Sequence, residues 1–175
     1  NQKYPENSER LLHRSGNLSG VNPKLLDMMK QASKDLPEGY HAEIISGHDA
    51  RSTGTKNHPA GIAADIKIYD NNGRLVPYDR GGPGMKYYEQ FHQSMVERGK
   101  QAYPNDKFIW GGTWIGNASG HGDPMHMQIL DPSVPGSSQS SGACNGKKGA
   151  HGHEFEPFLM SDQERTSYKQ SIRDK

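Results

Sequence analysis

Apolar residues at Leu25, Met28, Met29, Ala32 and Leu36 recur at offsets 0, 3, 4, 7 and 11, which gathers them on one face of a helix. Asn22 stands where an N-cap is needed, Pro23 fits the first helical position, and Pro37 with Gly39 ends the run. The stretch "YHAEIIS" then reads as a strand ending near Gly47. "AADIKIYD" reads as a second strand, with Ile66 and Ile68 alternating against Asp65 and Lys67. "NNG" at 71–73 is a tight-turn signal, so "RLVPY" is expected to return as a hairpin partner. After the break at Gly81 to Gly84, a helix over about 85–102 turns Tyr88, Phe91, Met95 and Val96 inward. "KFIWGGTW" and "HMQIL" predict two more strands around the loop "IGNASGHGDP". A last helix opens at Ser161, with Glu164 three residues on as a capping box, and runs to about Arg173. Strands with a hairpin, mixed with segregated helices, predict an α+β fold: a small antiparallel sheet flanked by helices.

Composition narrows this picture. The chain has 175 residues, 31% of them hydrophobic, with 21 glycines and 11 prolines. Together with a mean hydropathy of −0.97, that allows one domain with a modest core and much irregular loop. Residues 132–150, "PSVPGSSQSSGACNGKKGA", read as a long irregular loop after the last sheet motif. Net charge is +1, from 21 basic and 20 acidic residues, so nothing asks for a nucleic-acid partner. No apolar run approaches the roughly 20 residues of a membrane helix. Cys144 is the only cysteine, which excludes an intrachain disulfide and a cysteine-rich zinc finger.

Nine histidines are the chain's main chemical resource. His58 and Asp65 bracket "HPAGIAAD". Pro59 and Gly61 rule against a helix there, and on a flat strand an odd separation puts the two on opposite faces. They converge only if a turn or bulge intervenes, which Pro59 and Gly61 supply. In "HGDPMHMQI", Asp123 and His126 stand three apart at the entrance to a strand. His126 completes a two-histidine, one-aspartate set with a fourth position left for water, the pattern of a catalytic zinc site. Asp123, just outside that set, would exchange a proton with the water and the leaving amine. His121, His151 and His153 are rivals for the third ligand, and His48 lies near Arg51, a candidate for stabilising an oxyanion. The plain alternative for each stretch is a surface turn leading into a strand.

Together these stretches resemble the zinc peptidases that cut peptidoglycan stem peptides. These are the D-alanyl-D-alanine carboxypeptidases, the vancomycin-resistance dipeptidases and the L-alanyl-D-glutamate endopeptidases of bacteria and phages. His58, Gly61, Ala63 and Asp65 meet the pattern His-x-x-Gly-x-Ala-x-Asp, and Asp123 with His126 meets the later Asp-x-x-His. "WGGTW" at 110–114 and "LSGVNPKLLDMMKQA" are similar to the endopeptidase branch in particular. The resemblance implies one Zn²⁺ per chain on His58, Asp65 and His126, Asp123 as general base, and Arg51 as the substrate or transition-state arginine. Trp110, Trp114 and His121 become candidates for substrate contact. The resemblance covers about residues 18–130; with the patterning above, the chain divides into an irregular segment 1–19, a peptidase core 20–130, an irregular loop or arm 131–160, and a C-terminal helix 161–175 packed on the same domain. The resemblance further implies action outside the cytoplasm on peptidoglycan stem peptides, as an L-alanyl-D-glutamate endopeptidase or, as the alternative, a D-Ala-D-Ala carboxypeptidase. A different class stays open: a non-catalytic zinc-binding recognition module related to hedgehog amino-terminal domains.

Overall fold

A computed structural model describes residues 2–3, 10–14, 19–48, 57–78, 82–113, 123–134 and 160–174. In chain order they form β1 (Gln2–Lys3), β2 (Leu11–Arg14), α1 (Pro23–Lys34), β3 (His41–Ser46), β4 (Ala63–Tyr69), α2 (Met85–Ala102), β5 (Phe108–Trp110), β6 (His126–Ile129) and α3 (Asp162–Arg173). The strands make one open sheet in the order β1-β2-β3-β4-β6-β5. All pairs are antiparallel except β2 with β3. The fold is α+β, as the pattern of elements predicts. Of the irregular arm expected over 131–160, residues 135–159 lie outside the described residues.

The helices start where their sequences say. Asn22 Oδ1 accepts from the backbone N–H of Lys24 and Leu25, and Ser161 Oγ accepts from the N–H of Glu164. Each cap satisfies donors that the first helical turn leaves without partners. α1 and α2 cover one face of the sheet. Leu25, Met28 and Met29 from α1 and Tyr88, Phe91 and Met95 from α2 join Ile44, Ile66, Ile68 and Met127 in a single buried core. Strand alternation sends Asp65 and His126 to the other face, as neighbours of the inward-facing Ile66 and Met127. Arg98 of α2 grips Asp35 at the end of α1 through two hydrogen bonds of 2.7 and 2.6 Å, fixing the helix pair. α3 packs on α2, where Arg165 reaches Glu89 and Arg173 reaches Glu97. Among the described residues, no helix is long and apolar enough to cross a membrane.

Two parts of the chain depart from the expected pattern. Leu11–Arg14 is a strand inside the segment read as irregular, held by its register with Ala42, Glu43 and Ile44 of β3. "RLVPY" does return beside β4, but it makes only one bridge, Tyr69 with Leu75. Tyr88 explains why. Its hydroxyl accepts from Ile68 N–H at 3.1 Å and donates to the Val76 carbonyl at 2.9 Å, so it stands in the ladder position a hairpin bond would fill.

His92 illustrates how α2 meets the edge strand. Its Nε2–H donates to the Phe108 carbonyl at 2.8 Å, and its ring stacks on Trp110 at 6.1 Å between centroids. Burial pushes its pKa down to about 4, against the small opposing pull of the Phe108 carbonyl. In the unfolded chain the ring titrates near its ordinary 6.5, so between these values the unfolded chain binds the extra proton. The stability that neutral His92 contributes is therefore complete above about pH 6.5 and is lost as pH falls toward 4. His92→Gln is expected to flatten this part of the acid slope, read from melting temperatures between pH 7 and 4.5.

Candidate metal centre

"HPAGIAAD" folds as a tight turn that runs into β4. Gly61 N–H bonds to the His58 carbonyl at 2.9 Å, and Ile62 N–H bonds to the Asn57 carbonyl at 3.0 Å. Gly61 takes φ +77°, and its carbonyl accepts from Asn22 N–H at 2.7 Å. A Cβ there would meet the Gly20 carbonyl oxygen, so the position demands glycine twice over, for conformation and for space. Gly61→Ala is expected to cost about 2 kcal/mol or more and to displace His58. Chemical denaturation of the variant measures the first effect, and metal titration the second.

The turn carries the His58 ring back over the sheet face on which Asp65 stands. Asp65 of β4 and His126 of β6 are direct cross-strand partners, so their side chains share that face. The neighbouring strand β3 slips register between Ile44 and Ser46, opposite this point. Just beyond the slip, the Gly47 carbonyl faces His58 Nδ1 at 2.8 Å.

The resulting cluster is close-set. His58 Nε2 lies 3.4 Å from Asp65 Oδ2, and His126 Nδ1 lies 3.3 Å from Asp65 Oδ1. One ligand atom from each of the three residues lies within 4.8 Å of the others. The hydrogen bonds behind the rings dictate their tautomers. A carbonyl only accepts, so His58 Nδ1 is the protonated nitrogen and Nε2 turns its lone pair inward. His126 Nε2–H donates to Gln128 Oε1 at 2.7 Å, which leaves the Nδ1 lone pair facing Asp65. Burial raises the Asp65 pKa, but when the two rings carry protons on the nitrogens facing it, their hydrogen bonds and charge outweigh burial and hold this carboxyl well below the usual carboxylate range.

These residues fit a divalent transition metal. Two imidazole nitrogens and a carboxylate are zinc's usual donors, and with each about 2.0–2.1 Å from the ion, tetrahedral neighbours stand roughly 3.3–3.4 Å apart. The His58–Asp65 and His126–Asp65 separations, each to a different oxygen of the carboxylate, are of that size. Inward lone pairs facing an anion call for a cation between them, supplied by a metal or by protonation of the rings.

Asp123 lies at the rim. Its Oδ2 is 3.9 Å from His126 Nδ1 and its side chain is 39% exposed, so it borders the cluster without closing it. The backbone fixes it in place: Asp123 N–H bonds to the Gly111 carbonyl at 2.8 Å, and His126 N–H to the Asp123 carbonyl at 3.0 Å. Gly111 permits this approach, since a Cβ there would strike the Asp123 carbonyl oxygen.

The expected site residues do not all converge. Trp110, a candidate for substrate contact, pairs in register with Met127 and so faces the helices, across the sheet from His126. It is 3% exposed, with its indole N–H on the Pro124 carbonyl, and it serves the core instead. His48 is exposed and sits over Gly20 and Gly61, outside the three-residue cluster. Arg51, Trp114, His121, His151 and His153 lie outside the described residues. Two residues that the motifs did not single out, Asn57 and Gln128, stand directly behind the ligand set. Gln128 follows His126 by two in a strand, a spacing that puts both on one face.

The class that this site defines is a buried two-histidine, one-carboxylate cluster with an acid at its rim, built on an antiparallel strand pair. No protein-family model matches the chain, and no curated protein matches it. Among solved structures, it is similar to the Serratia marcescens L-Ala D-Glu endopeptidase ChiX, with 19% identity and a TM-score of 0.46, over 67% of this chain and 90% of that one.

Proposed function

We propose that the chain is a zinc metallopeptidase that hydrolyses peptide bonds in peptidoglycan stem peptides, acting as an L-alanyl-D-glutamate endopeptidase. The observation that carries the reading is the arrangement of His58, Asp65 and His126, with both imidazole lone pairs turned on one carboxylate and Asp123 alongside. The stem-peptide substrate rests on the two sequence motifs, and the choice of bond on the likeness of "WGGTW" to the endopeptidase branch.

His58 would hold the ion through Nε2, His126 through Nδ1, and Asp65 through its carboxylate. When bound, Zn²⁺ supplies Lewis acidity and brings the pKa of a coordinated water to about 7. Asp123, half-exposed beside the cluster, takes the proton of the attacking water and returns it to the departing amine. Asp65 is the single anion within the ligand set, so the site keeps a net positive charge with which to polarise a carbonyl. Arg51 would assist at the oxyanion. Such an activity belongs outside the cytoplasm, where its substrate lies.

Mass spectrometry of purified peptidoglycan fragments, incubated with metal-loaded protein and with a chelated control, tests the reading. The expected products are stem peptides beginning at D-glutamate, absent after chelation. Release of a single terminal D-alanine would assign the carboxypeptidase instead. A chain that binds one zinc and cuts nothing would be a recognition module.

A further inference from the structure

We propose that Asn57 and Gln128 form a buried amide latch that selects the ring nitrogen His126 turns toward the cluster. This rests on the metal-site reading above and names two positioning residues for it. Gln128 is fully buried, two residues after His126 on β6 and opposite Ala63, whose small side chain leaves room on that face. Its Oε1 accepts two hydrogen bonds: His126 Nε2–H at 2.7 Å and Asn57 Nδ2–H at 3.0 Å. Asn57 directly precedes His58 and is itself fully buried. One amide pair therefore ties the turn that carries the first histidine to the strand that carries the second.

The latch has a direction. Turning the Asn57 amide alone would set its oxygen against Gln128 Oε1, two acceptors facing each other. Turning both amides would aim Gln128 Nε2–H at His126 Nε2, moving the ring proton to Nδ1 and closing that nitrogen to a metal. In the observed orientation Asn57 Oδ1 is buried with no hydrogen-bond partner among the described residues, whereas its Nδ2 is held on Gln128. Packing alone does not ask for this, because an apolar side chain would fill the same space without burying an amide. The acceptor is also neutral. A carboxylate at 128 would hold the ring equally well but add a second negative charge beside Asp65, strengthening metal binding while reducing the ion's pull on a substrate carbonyl.

Zinc affinity, measured by chelator competition on the full chain, and the His126 ring signals in ¹⁵N NMR test the latch. Gln128→Met removes the acceptor and is expected to weaken zinc binding by about 10–100-fold and to abolish the exchange-protected Nε2–H signal. Gln128→Glu is expected to restore both and to bind zinc at least as tightly as the parent. If Gln128→Met does not fold, Asn57→Ala carries the test, with a smaller fall in affinity and faster exchange of that proton. Parental affinity in Gln128→Met, or a Gln128→Glu protein as weak as it, would overturn the latch. A parent chain that binds no zinc would instead overturn the metal reading, while its Nε2–H signal would still report on the amide pair.

Discussion

Asp123→Asn is expected to leave zinc binding unchanged and to lower turnover by about 10²–10⁴-fold, the usual contribution of a positioned proton-transfer group. The substitution keeps the shape of the side chain and both backbone hydrogen bonds that seat it, to Gly111 and from His126. What it removes is the capacity to take a proton. Asp123 Oδ2 stands farther from His126 Nδ1 than Asp65 does, 3.9 Å against 3.3 Å, which is the geometric reason to separate base from ligand. Zinc content and the rate of stem-peptide cleavage, measured on the same preparation, check both halves. Loss of the metal would make Asp123 a ligand, and retained turnover would put the base elsewhere.

Asp65→Ala should abolish cleavage and weaken zinc binding by about 10³-fold, one ligand's share of a binding free energy on the order of 10–16 kcal/mol. Asp65 faces both histidines, through a different oxygen for each, and it is the only charged member of the set. Without it two imidazoles remain, with no anion between them in the ligand set. Chelator competition measures the affinity. An affinity within tenfold of the parent's would mean that the carboxylate serves only to orient the rings.

Much of this site was legible in the sequence because short-range rules govern it. Pro59 and Gly61 between His58 and Asp65 called for a turn or a bulge. The turn spans Asn57 to Gly61, and a slip of register lies in the next strand. The caps at Asn22 and Ser161 were equally local, and the helices begin there. Long-range pairing was not legible. Leu11–Arg14 carries no strong strand signal of its own and becomes a strand because β3 accepts it in parallel. "RLVPY" had the turn and the apolar residues of a hairpin arm, but a tyrosine from a distant helix inserts into one of its ladder bonds, between Ile68 N–H and the Val76 carbonyl. Trp110 illustrates the hardest kind of miss. Its neighbours Gly111 and Gly112 belong to the expected motif, and Gly111 does seat Asp123, but strand parity turns the indole to the core. Gln128 could have been found from parity alone, since a polar residue two along from a ligand in a strand stands at its back, whereas Asn57 lies in the turn, where parity says nothing.

Among the described residues, the outermost strands of the sheet are also its shortest, two residues in β1 and three in β5. A strand edge is a template for another chain, and its danger grows with the number of free backbone groups it offers in a row. A second molecule docking beside β5 or β1 would gain only two or three rungs, too few to repay the loss of its freedom. The sheet therefore resists lengthening into an aggregate while keeping its long, well-paired strands at the centre, where the histidines and aspartate are held.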